Sequence, residues 1–173
     1  MKKRIKAVLL PIVAAFSLAA GASRARSETS PRIVLDWDAG WRFSKGEFAT
    51  AMSPVFDDSG WRPVRVPHDW STEEPFSADY GSGNGYAAGG IGWYRKYFPL
   101  DPAWQGRAVM VEFDGVYANA EVWLNGQFVG GRPYGYSSFA LELTPYLKFG
   151  ADHNVLAVRV DHSRFADSRW YTG

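Results

Sequence analysis

The 173-residue sequence contains no cysteine, so neither disulfide bonds nor thiolate metal sites can hold its fold. Its three histidines are scattered and show no metal-ligand spacing, and we expect neither a metal nor a cofactor. Helix signals are also scarce. Stability must therefore come from an apolar core, which 8 Trp, 9 Tyr and 11 Phe make feasible.

The charge balance has no strong sign. The whole chain carries 19 basic and 18 acidic residues, but four of the basic ones lie within residues 1–22. Without that segment, 15 basic residues face 18 acidic ones, a formal net charge of −3. A mildly acidic surface gives no electrostatic reason to expect nucleic acid or anionic lipid as a partner.

The first 22 residues have the pattern of a bacterial Sec-type signal peptide. A basic start precedes the apolar stretch 7–18, and Ala20-Gly21-Ala22 supplies the small-x-small pattern that signal peptidase reads. The stretch is about 12 residues long, too short for the roughly 20 that span a bilayer. We therefore expect cleavage before Ser23, a flexible leader over 23–31, and a domain over 32–173. The mature chain is expected in the periplasm or outside the cell, with no membrane association.

Beyond the leader the dominant hydrophobic period is two, which is typical of strands with one face inward. Asn125-Gly126 is a strong signal for a two-residue hairpin, because both central positions of a type I′ turn need positive φ. Many short strands with frequent turn residues predict an all-β fold, an antiparallel sandwich or jelly roll. The strand candidates are 33–35, 62–66, 92–98, 109–113, 118–124, 139–143 and 156–160.

Two short helical turns are predicted between strands. One begins at Thr144, as cap, with Pro145 at the first helical position, and the other begins at Asp101-Pro102. Residues 71–90 form a long stretch without hydrophobic periodicity, and a loop of that length is usually functional or disordered. Its glycine-rich part, 81–85, is interpreted as a flexible loop, since no βαβ pattern flanks it as a phosphate site requires.

The sequence contains no convincing catalytic pair. His68-Asp69 could form an acid–base dyad, but no sequence motif for a nucleophile, such as G-x-S-x-G, accompanies it. Structural capping by the Asp69 side chain is the favoured interpretation. Asp57-Asp58 is typical of a turn. Glu73 and Glu74 lie in the irregular loop, where neither would be held rigidly enough for the carboxylate geometry of a glycosidase.

Several segments in order resemble one family. They are Asp57-Asp58-Ser59-Gly60-Trp61, Val66-Pro67-His68-Asp69-Trp70, Gly89-Gly90-Ile91-Gly92-Trp93-Tyr94-Arg95-Lys96, Phe113-Asp114-Gly115-Val116, Val122-Trp123-Leu124-Asn125-Gly126 and Ser168-Arg169-Trp170-Tyr171. Together they resemble the N-terminal sugar-binding domain of glycoside hydrolase family 2, a galactose-binding-like jelly roll. The His-Asp-Trp and Gly-Gly-Ile-Gly-Trp-Tyr-Arg-Lys segments are most similar to β-galactosidases.

The resemblance implies one part of a retaining β-galactosidase-type enzyme acting on a β-galactoside-type glycan. Family members continue with an immunoglobulin-like domain and a (β/α)8 barrel that carries both catalytic glutamates. This chain ends at Gly173, before a final strand and before that barrel. We therefore expect a truncated reading frame or an incomplete sequence. The chain alone is expected to be inactive. A free-standing secreted carbohydrate-binding module is the alternative.

The resemblance also implies that loops of this domain close one wall of the sugar pocket, and it points to Asp161, Arg169 and Trp170. A carboxylate at Asp161 can accept hydrogen bonds from adjacent sugar hydroxyls. Asp161 could equally cap a turn at the end of its strand. Trp170 could stack on a sugar or belong to the core.

Overall fold

The computed structural model describes residues 5–11, 32–150 and 153–163. These residues form two antiparallel β-sheets packed face to face, with short 3-10 turns in the connections. Over the same ranges there is no α-helix, and hence no helix of the length and apolarity that crossing a membrane requires. The predicted all-β sandwich of the jelly-roll class is confirmed.

In the described ranges, ten strands make up the two sheets. They are β1 (Ile5–Pro11), β2 (Ile33–Asp36), β3 (Trp41–Lys45), β4 (Arg62–Val64), β5 (Gly90–Phe98), β6 (Arg107–Phe113), β7 (Ala120–Leu124), β8 (Gln127–Arg132), β9 (Phe139–Glu142) and β10 (Asn154–His162). The first sheet has the order β2-β1-β6-β9, and the second has the order β4-β3-β5-β10-β7-β8. All of the predicted strand segments lie in or overlap these strands.

The sandwich core follows the alternation seen in the sequence. Val109, Val111 and Phe113 of β6 are buried, and Met110 and Glu112 between them are half-buried. Burying one such apolar side chain contributes roughly 1.5–3 kcal/mol. The core between the sheets therefore rests on many side chains of this kind together with large aromatic ones such as Trp41 and Phe43.

A second core lies on the outer face of the larger sheet. Trp93 and Ala157 there pack with Ala51 and Trp61 of the segment that connects β3 to β4. Strands β5 and β10 are consequently buried over most of their length on both faces. This double burial explains why the sequence of β5 is apolar or aromatic at neighbouring positions as well as alternate ones.

The predicted type I′ hairpin is confirmed between β7 and β8. Asn125 has φ of 54° and Gly126 has φ of 85°, so both central residues have the required positive values. The Asn125 side chain also donates to the Tyr146 carbonyl at 2.9 Å and to the buried Asn154 side chain at 2.8 Å. The hairpin is thereby fixed to the start of β10.

Between the strands, the described residues form five 3-10 turns: Trp70–Thr72, Ala78–Tyr80, Ser82–Asn84, Pro102–Trp104 and Thr144–Tyr146. The predicted cap at Asp69 and the predicted turn at Asp101-Pro102 are confirmed, and each of these Asp side chains accepts from the backbone amide two residues later. The predicted cap at Thr144 is wrong. Leu143 precedes that turn, and the Thr144 hydroxyl accepts from the Val109 amide at 2.8 Å, which ties the turn to β6 instead.

Strand β1 lies within the segment predicted to be a signal peptide. It pairs antiparallel with β2 on one side and with β6 on the other. A precursor keeps its leader until cleavage, so this pairing leaves the prediction of export as it stands. The predicted leader over 23–31 lies outside the described residues.

Candidate functional site

One end of the larger sheet gathers the loops that could form a site. Strand β10 ends there at His162, which pairs with Gly90 at the start of β5. Two connections cross between the sheets at the same end, 114–119 before β7 and 133–138 after β8. Strand ends and the loops that they feed are where a rigid sandwich presents binding groups.

Asp161 lies at this end with its side chain 24% exposed. Its backbone amide donates to the Ala118 carbonyl at 3.0 Å, and its carbonyl accepts from the Asn119 side chain at 3.1 Å. One carboxylate oxygen accepts from the Ser163 amide at 2.9 Å and from the Ser163 hydroxyl at 2.5 Å. One oxygen of Asp161 is therefore engaged by the residue that directly follows β10.

The second carboxylate oxygen of Asp161 keeps acceptor capacity. Its hydrogen bond within the described residues is a long one, 3.4 Å from Arg159. An ionised carboxylate has about four lone-pair positions. Burial disfavours the charged form of Asp161, but the Ser163 hydrogen bonds and Arg159 outweigh it and hold the pKa of this carboxyl below its ordinary value. The group is thus ionised and able to accept further hydrogen bonds.

Arg159 organises the carboxylates beside Asp161. Its guanidinium lies 2.6 Å from Glu47, 3.4 Å from Glu121 and 3.4 Å from Asp161. The hydrogen bond to Glu47 is the main reason that the pKa of Arg159 is raised, and it lowers the pKa of Glu47 in turn. One cation thus meets three carboxylates, and the group as a whole carries a net charge of −2.

Aromatic side chains from both crossing loops lie at the same end of the larger sheet. The ring of Tyr117 is perpendicular to that of His162, with centroids 5.0 Å apart, and forms an edge contact with Tyr136 at 5.3 Å. Tyr134 continues the row, 5.7 Å from Tyr136. Tyr134 is 60% exposed and Tyr136 is 54% exposed. We call Tyr117, Tyr134, Tyr136 and His162 the aromatic patch.

His162 is the ionisable residue of the patch that is most buried, and two carboxylates act on it. Burial lowers the pKa of His162, while the carboxylates of Asp69 and Asp161 oppose that shift. The imidazole is therefore neutral at neutral pH. A neutral ring presents one donor and one acceptor, which suits hydroxyl groups.

A second polar cluster lies on the loop before the first 3-10 turn. His68 lies 2.7 Å from the Tyr94 hydroxyl and 3.2 Å from Glu73, and Arg62 pairs with Glu73. Glu74 pairs with Lys45 at 2.5 Å. The expectation that neither glutamate is well held is wrong, because ion pairs from the sheet fix both. Each pairing engages the carboxylate with a neighbouring cation.

The prediction that Asp57 and Asp58 both serve a turn is half right. Asp57 accepts from the Ser59 amide at 3.0 Å, as a turn residue does. Asp58 is only 3% exposed and lies 2.8 Å from the fully buried Arg95 and 2.6 Å from Arg42. Arg95 also donates to the Ala51 carbonyl. This network fastens the segment between β3 and β4 onto the larger sheet.

Of the predicted site residues, the structure places only Asp161, since Arg169 and Trp170 lie outside the described residues. Tyr117, Tyr136 and His162 were not predicted as site residues. Tyr117 and Tyr136 come together with His162 only when the two crossing loops meet the end of β10. In the sequence, the one available signal for these residues was the presence of tyrosines in turn-rich segments. In the part of the chain that the structure describes, no cluster of His, Asp and Glu could hold a metal ion.

A cavity of about 390 Å³ lies elsewhere, beside the end of β5 opposite to the aromatic patch. Trp37, Phe98, Leu100 and Trp104 line it, together with the Lys96 side chain. Lys96 already donates to the Ala39 carbonyl and lies over Trp37 and Trp41. The polar groups that could select a ligand converge at Asp161 rather than at this apolar cavity.

The sandwich and the polar, aromatic end of its larger sheet define a β-sandwich domain of the sugar-binding class. Residues 37–172 match the family model described as glycosyl hydrolases family 2, sugar binding domain. The chain belongs to glycoside hydrolase family 2.

Known relatives are much longer than this chain. It is 50% identical over 155 residues to a β-galactosidase of Bacteroides ovatus, covering 88% of this chain and 18% of that protein. It is 32% identical over 139 residues to a β-glucuronidase of Formosa agariphila, covering 79% of this chain and 14% of that protein. A crystal structure of a glycosyl hydrolase family 2 member from Bacteroides cellulosilyticus superposes with a TM-score of 0.74 at 43% identity, over 79% of this chain and 18% of that one.

Proposed function

We propose that this chain is the sugar-binding wall of an exported, retaining β-galactosidase-type enzyme and is inactive alone. The observation that carries the proposal is the Asp161 carboxylate, which is ionised, partly exposed and at the same end of the larger sheet as the aromatic patch. A carboxylate accepts hydrogen bonds from neighbouring hydroxyls, and an aromatic ring stacks on the C–H face of a pyranose. These two kinds of group together suit a sugar ring.

Among the described residues, the charges around Asp161 favour a neutral sugar. Arg159 is shared among Glu47, Glu121 and Asp161, so no cation of that group is left to bind a uronate carboxylate. A second negative charge beside Asp161 would be repelled. This argument, together with the 50% identity to a β-galactosidase, favours a β-galactoside-type glycan over a β-glucuronide.

The catalytic glutamates of such an enzyme would lie outside this chain, on the (β/α)8 barrel that follows an immunoglobulin-like domain in the family. The chain matches only 18% of the length of its β-galactosidase relative, which leaves room for both domains in a complete enzyme. The wall would act by orienting the sugar. Arg169 and Trp170 are proposed as further members of it.

A titration of the isotope-labelled chain by NMR tests the proposal. Methyl β-galactoside should shift the amide signals of Asp161, His162 and Tyr117, with millimolar affinity, because half of the pocket is absent. Methyl β-glucuronide should shift them less. Signals from Trp104, at the opposite cavity, are the internal control. Shifts confined to Trp104, or equal shifts with both sugars, would contradict the assignment.

The alternative is a free-standing carbohydrate-binding module. The exposure of Tyr134 and Tyr136 favours it, since such a row could bind a sugar without a barrel. The two functions differ in affinity. A module should bind a glycan at micromolar concentration by itself, and the gene would hold a terminator with no barrel remnant downstream of codon 173.

Export is the remaining part of the proposal, and it rests on the sequence pattern of residues 1–22. We expect the mature chain to begin at Ser23. N-terminal sequencing of the chain recovered from the periplasm or medium checks this. Recovery of a stable cytoplasmic form that retains Met1 would contradict it.

A further inference from the structure

The segment that follows β3 is anchored beside the end of β10. The Gly46 amide donates to the Ile91 carbonyl at 2.8 Å, and Ile91 is the residue of β5 that registers with Asp161. Glu47 comes directly after Gly46 in the chain. The backbone of the larger sheet therefore brings Glu47 to the end at which Asp161 lies, although the two residues are far apart in sequence.

Glu47 is held by two side chains of that sheet. Two nitrogens of Arg159 donate to its Oε2 atom, Nη2 at 2.6 Å and Nε at 3.0 Å. The other oxygen, Oε1, accepts from the indole of Trp93 at 3.3 Å, and Trp93 is itself buried and stacked on Trp123. Hydrogen bonds between ionised groups are about twice as strong as those between neutral ones. The Arg159 guanidinium is therefore held where Glu47 places it.

The same guanidinium nitrogen approaches Asp161 less closely. Nη2 of Arg159 lies 2.6 Å from Glu47 but 3.4 Å from Oδ2 of Asp161, whereas a strong charged hydrogen bond is about 2.7–2.9 Å long. Glu121 contacts the other nitrogen, Nη1, at 3.4 Å. Among the described residues, Glu47 thus takes the strongest contact of Arg159 and leaves Asp161 Oδ2 with a long one.

We propose that Glu47 is a positioning residue of the sugar site, which draws the Arg159 guanidinium away from Asp161 Oδ2 and so leaves that oxygen open to a sugar hydroxyl. Without Glu47, the guanidinium would close on Asp161, and the two groups would satisfy each other as arginine–carboxylate pairs do. This role in catalysis rests on the proposed function, whereas the hold of Glu47 on Arg159 is a property of the chain itself and needs no sugar to be tested.

The pKa of the Asp161 carboxyl reports the position of the guanidinium, because a closer cation lowers it. Carboxyl ¹³C NMR of the full 173-residue chain follows that pKa. Glu47→Gln removes a charge but keeps the size of the side chain, and it should lower the pKa of Asp161. Glu121→Gln is the matched control, since it removes an equal charge from beside Nη1, and it should lower that pKa less. Equal shifts in the two variants, or no shift in Glu47→Gln, would overturn the proposal.

Arg159→Gln separates an effect through the guanidinium from a direct effect of charge. This substitution should raise the pKa of Asp161, because it removes the neighbouring cation. In the Arg159→Gln chain, Glu47→Gln should then lower the pKa of Asp161 clearly less than it does when Arg159 is present. An undiminished effect would show that Glu47 acts on Asp161 directly, and the positioning role would be wrong.

A measurement on the unmodified chain does not depend on any variant. The Nε–H proton of Arg159 donates to Glu47, so it should exchange with water more slowly than that of Arg65, whose side chain is 62% exposed. Proton-exchange NMR at neutral pH compares the two. Equally rapid exchange at both arginines would contradict the hold of Glu47 on Arg159.

Kinetics of the complete enzyme measure the consequence for catalysis. Glu47→Gln should lower kcat/KM for a β-galactoside roughly two- to tenfold, with little change in melting temperature, and should have no further effect when Asp161→Asn is already present. Unchanged kinetics in Asp161→Asn itself would contradict the proposed function. Unchanged kcat/KM in Glu47→Gln, in an enzyme that does lose activity through Asp161→Asn, would instead overturn the positioning role of Glu47.

Discussion

Tyr117 packs directly on the backbone of Gly135, so that a Cβ atom at position 135 would lie 2.8 Å from the Tyr117 Cα. The contact joins the two loops that cross between the sheets. It also sets the position of the Tyr117 ring against Tyr136 and His162. The aromatic patch therefore depends on a glycine at this point.

Gly135→Ala should displace Tyr117 and lower stability by about 1–3 kcal/mol, since an added methyl cannot fit against backbone atoms. The control is Gly60→Ala, because a Cβ at Gly60 meets nothing within 4 Å. Denaturant unfolding gives the stability, and the ring signals of Tyr117 give its displacement. A Gly135→Ala chain as stable as the Gly60→Ala chain would contradict the contact.

The buried network at Arg95 gives a second prediction. Asp58→Ala would leave the Arg95 guanidinium buried without its carboxylate, so it should cost about 3–5 kcal/mol in free energy of unfolding. Asp57→Ala removes only an exposed turn hydrogen bond to Ser59 and should lower the free energy of unfolding much less than Asp58→Ala does. Urea titration of both variants makes the comparison. Similar losses in the two would mean that Asp58, too, serves only the turn.

His162 should titrate below its ordinary pKa of 6.5 because it is partly buried. The unfolded chain then takes up a proton at higher pH than the folded chain. The contribution of His162 to stability is therefore fully present above pH 6.5 and is lost as the pH falls below that value. Asp161→Asn removes a carboxylate that favours the protonated ring and should lower this pKa further.

An NMR titration of the His162 ring follows both effects. Asp79→Asn is the control, because Asp79 lies in the turn Ala78–Tyr80 and is not among the groups that shift His162. A His162 pKa above 6.5, or one that rises in Asp161→Asn, would contradict the placement of these two residues.

The isolated chain should show no glycosidase turnover. Glu73 and Glu74 are held in ion pairs with Arg62 and Lys45, so neither is placed as one of two facing carboxylates across a sugar bond. Residues 23–173 should release no nitrophenol from aryl β-galactosides above a buffer blank. Turnover that survives repurification and disappears in Glu73→Gln or Glu74→Gln would overturn this expectation.

Sequence periodicity predicted most of the sandwich because most strands bury one face. Strand β6 shows this directly, since its alternating residues are the ones that pack in the core. Strand β3 was missed, although Trp41 and Phe43 alternate with Arg42. The role of Arg95 was also hidden. Its partner Asp58 lies 37 residues away, and only the fold of the β3–β4 connection brings them together.

The site was predictable only in part. Asp161 could be named because the resemblance marks it and because it follows an alternating strand. Its neighbours Tyr117 and His162 come together through the crossing of a loop from the other sheet, and no local pattern encodes that contact. The shared cation Arg159 was likewise missed, since its partner Glu47 lies 112 residues earlier in the chain.

Steady-state kinetics of Asp161→Asn in the complete enzyme, with the domains that follow this one restored, test the central claim most directly. A charged hydrogen bond to a sugar hydroxyl contributes about 1.5–3 kcal/mol, so kcat/KM should fall roughly ten- to hundredfold, with loss of kcat as well as of binding. Ser163→Ala removes the turn hydroxyl but keeps the carboxylate, and it should retain most of the activity. Unchanged kinetics in Asp161→Asn, together with a melting temperature several degrees lower, would contradict the account and leave Asp161 as a turn cap.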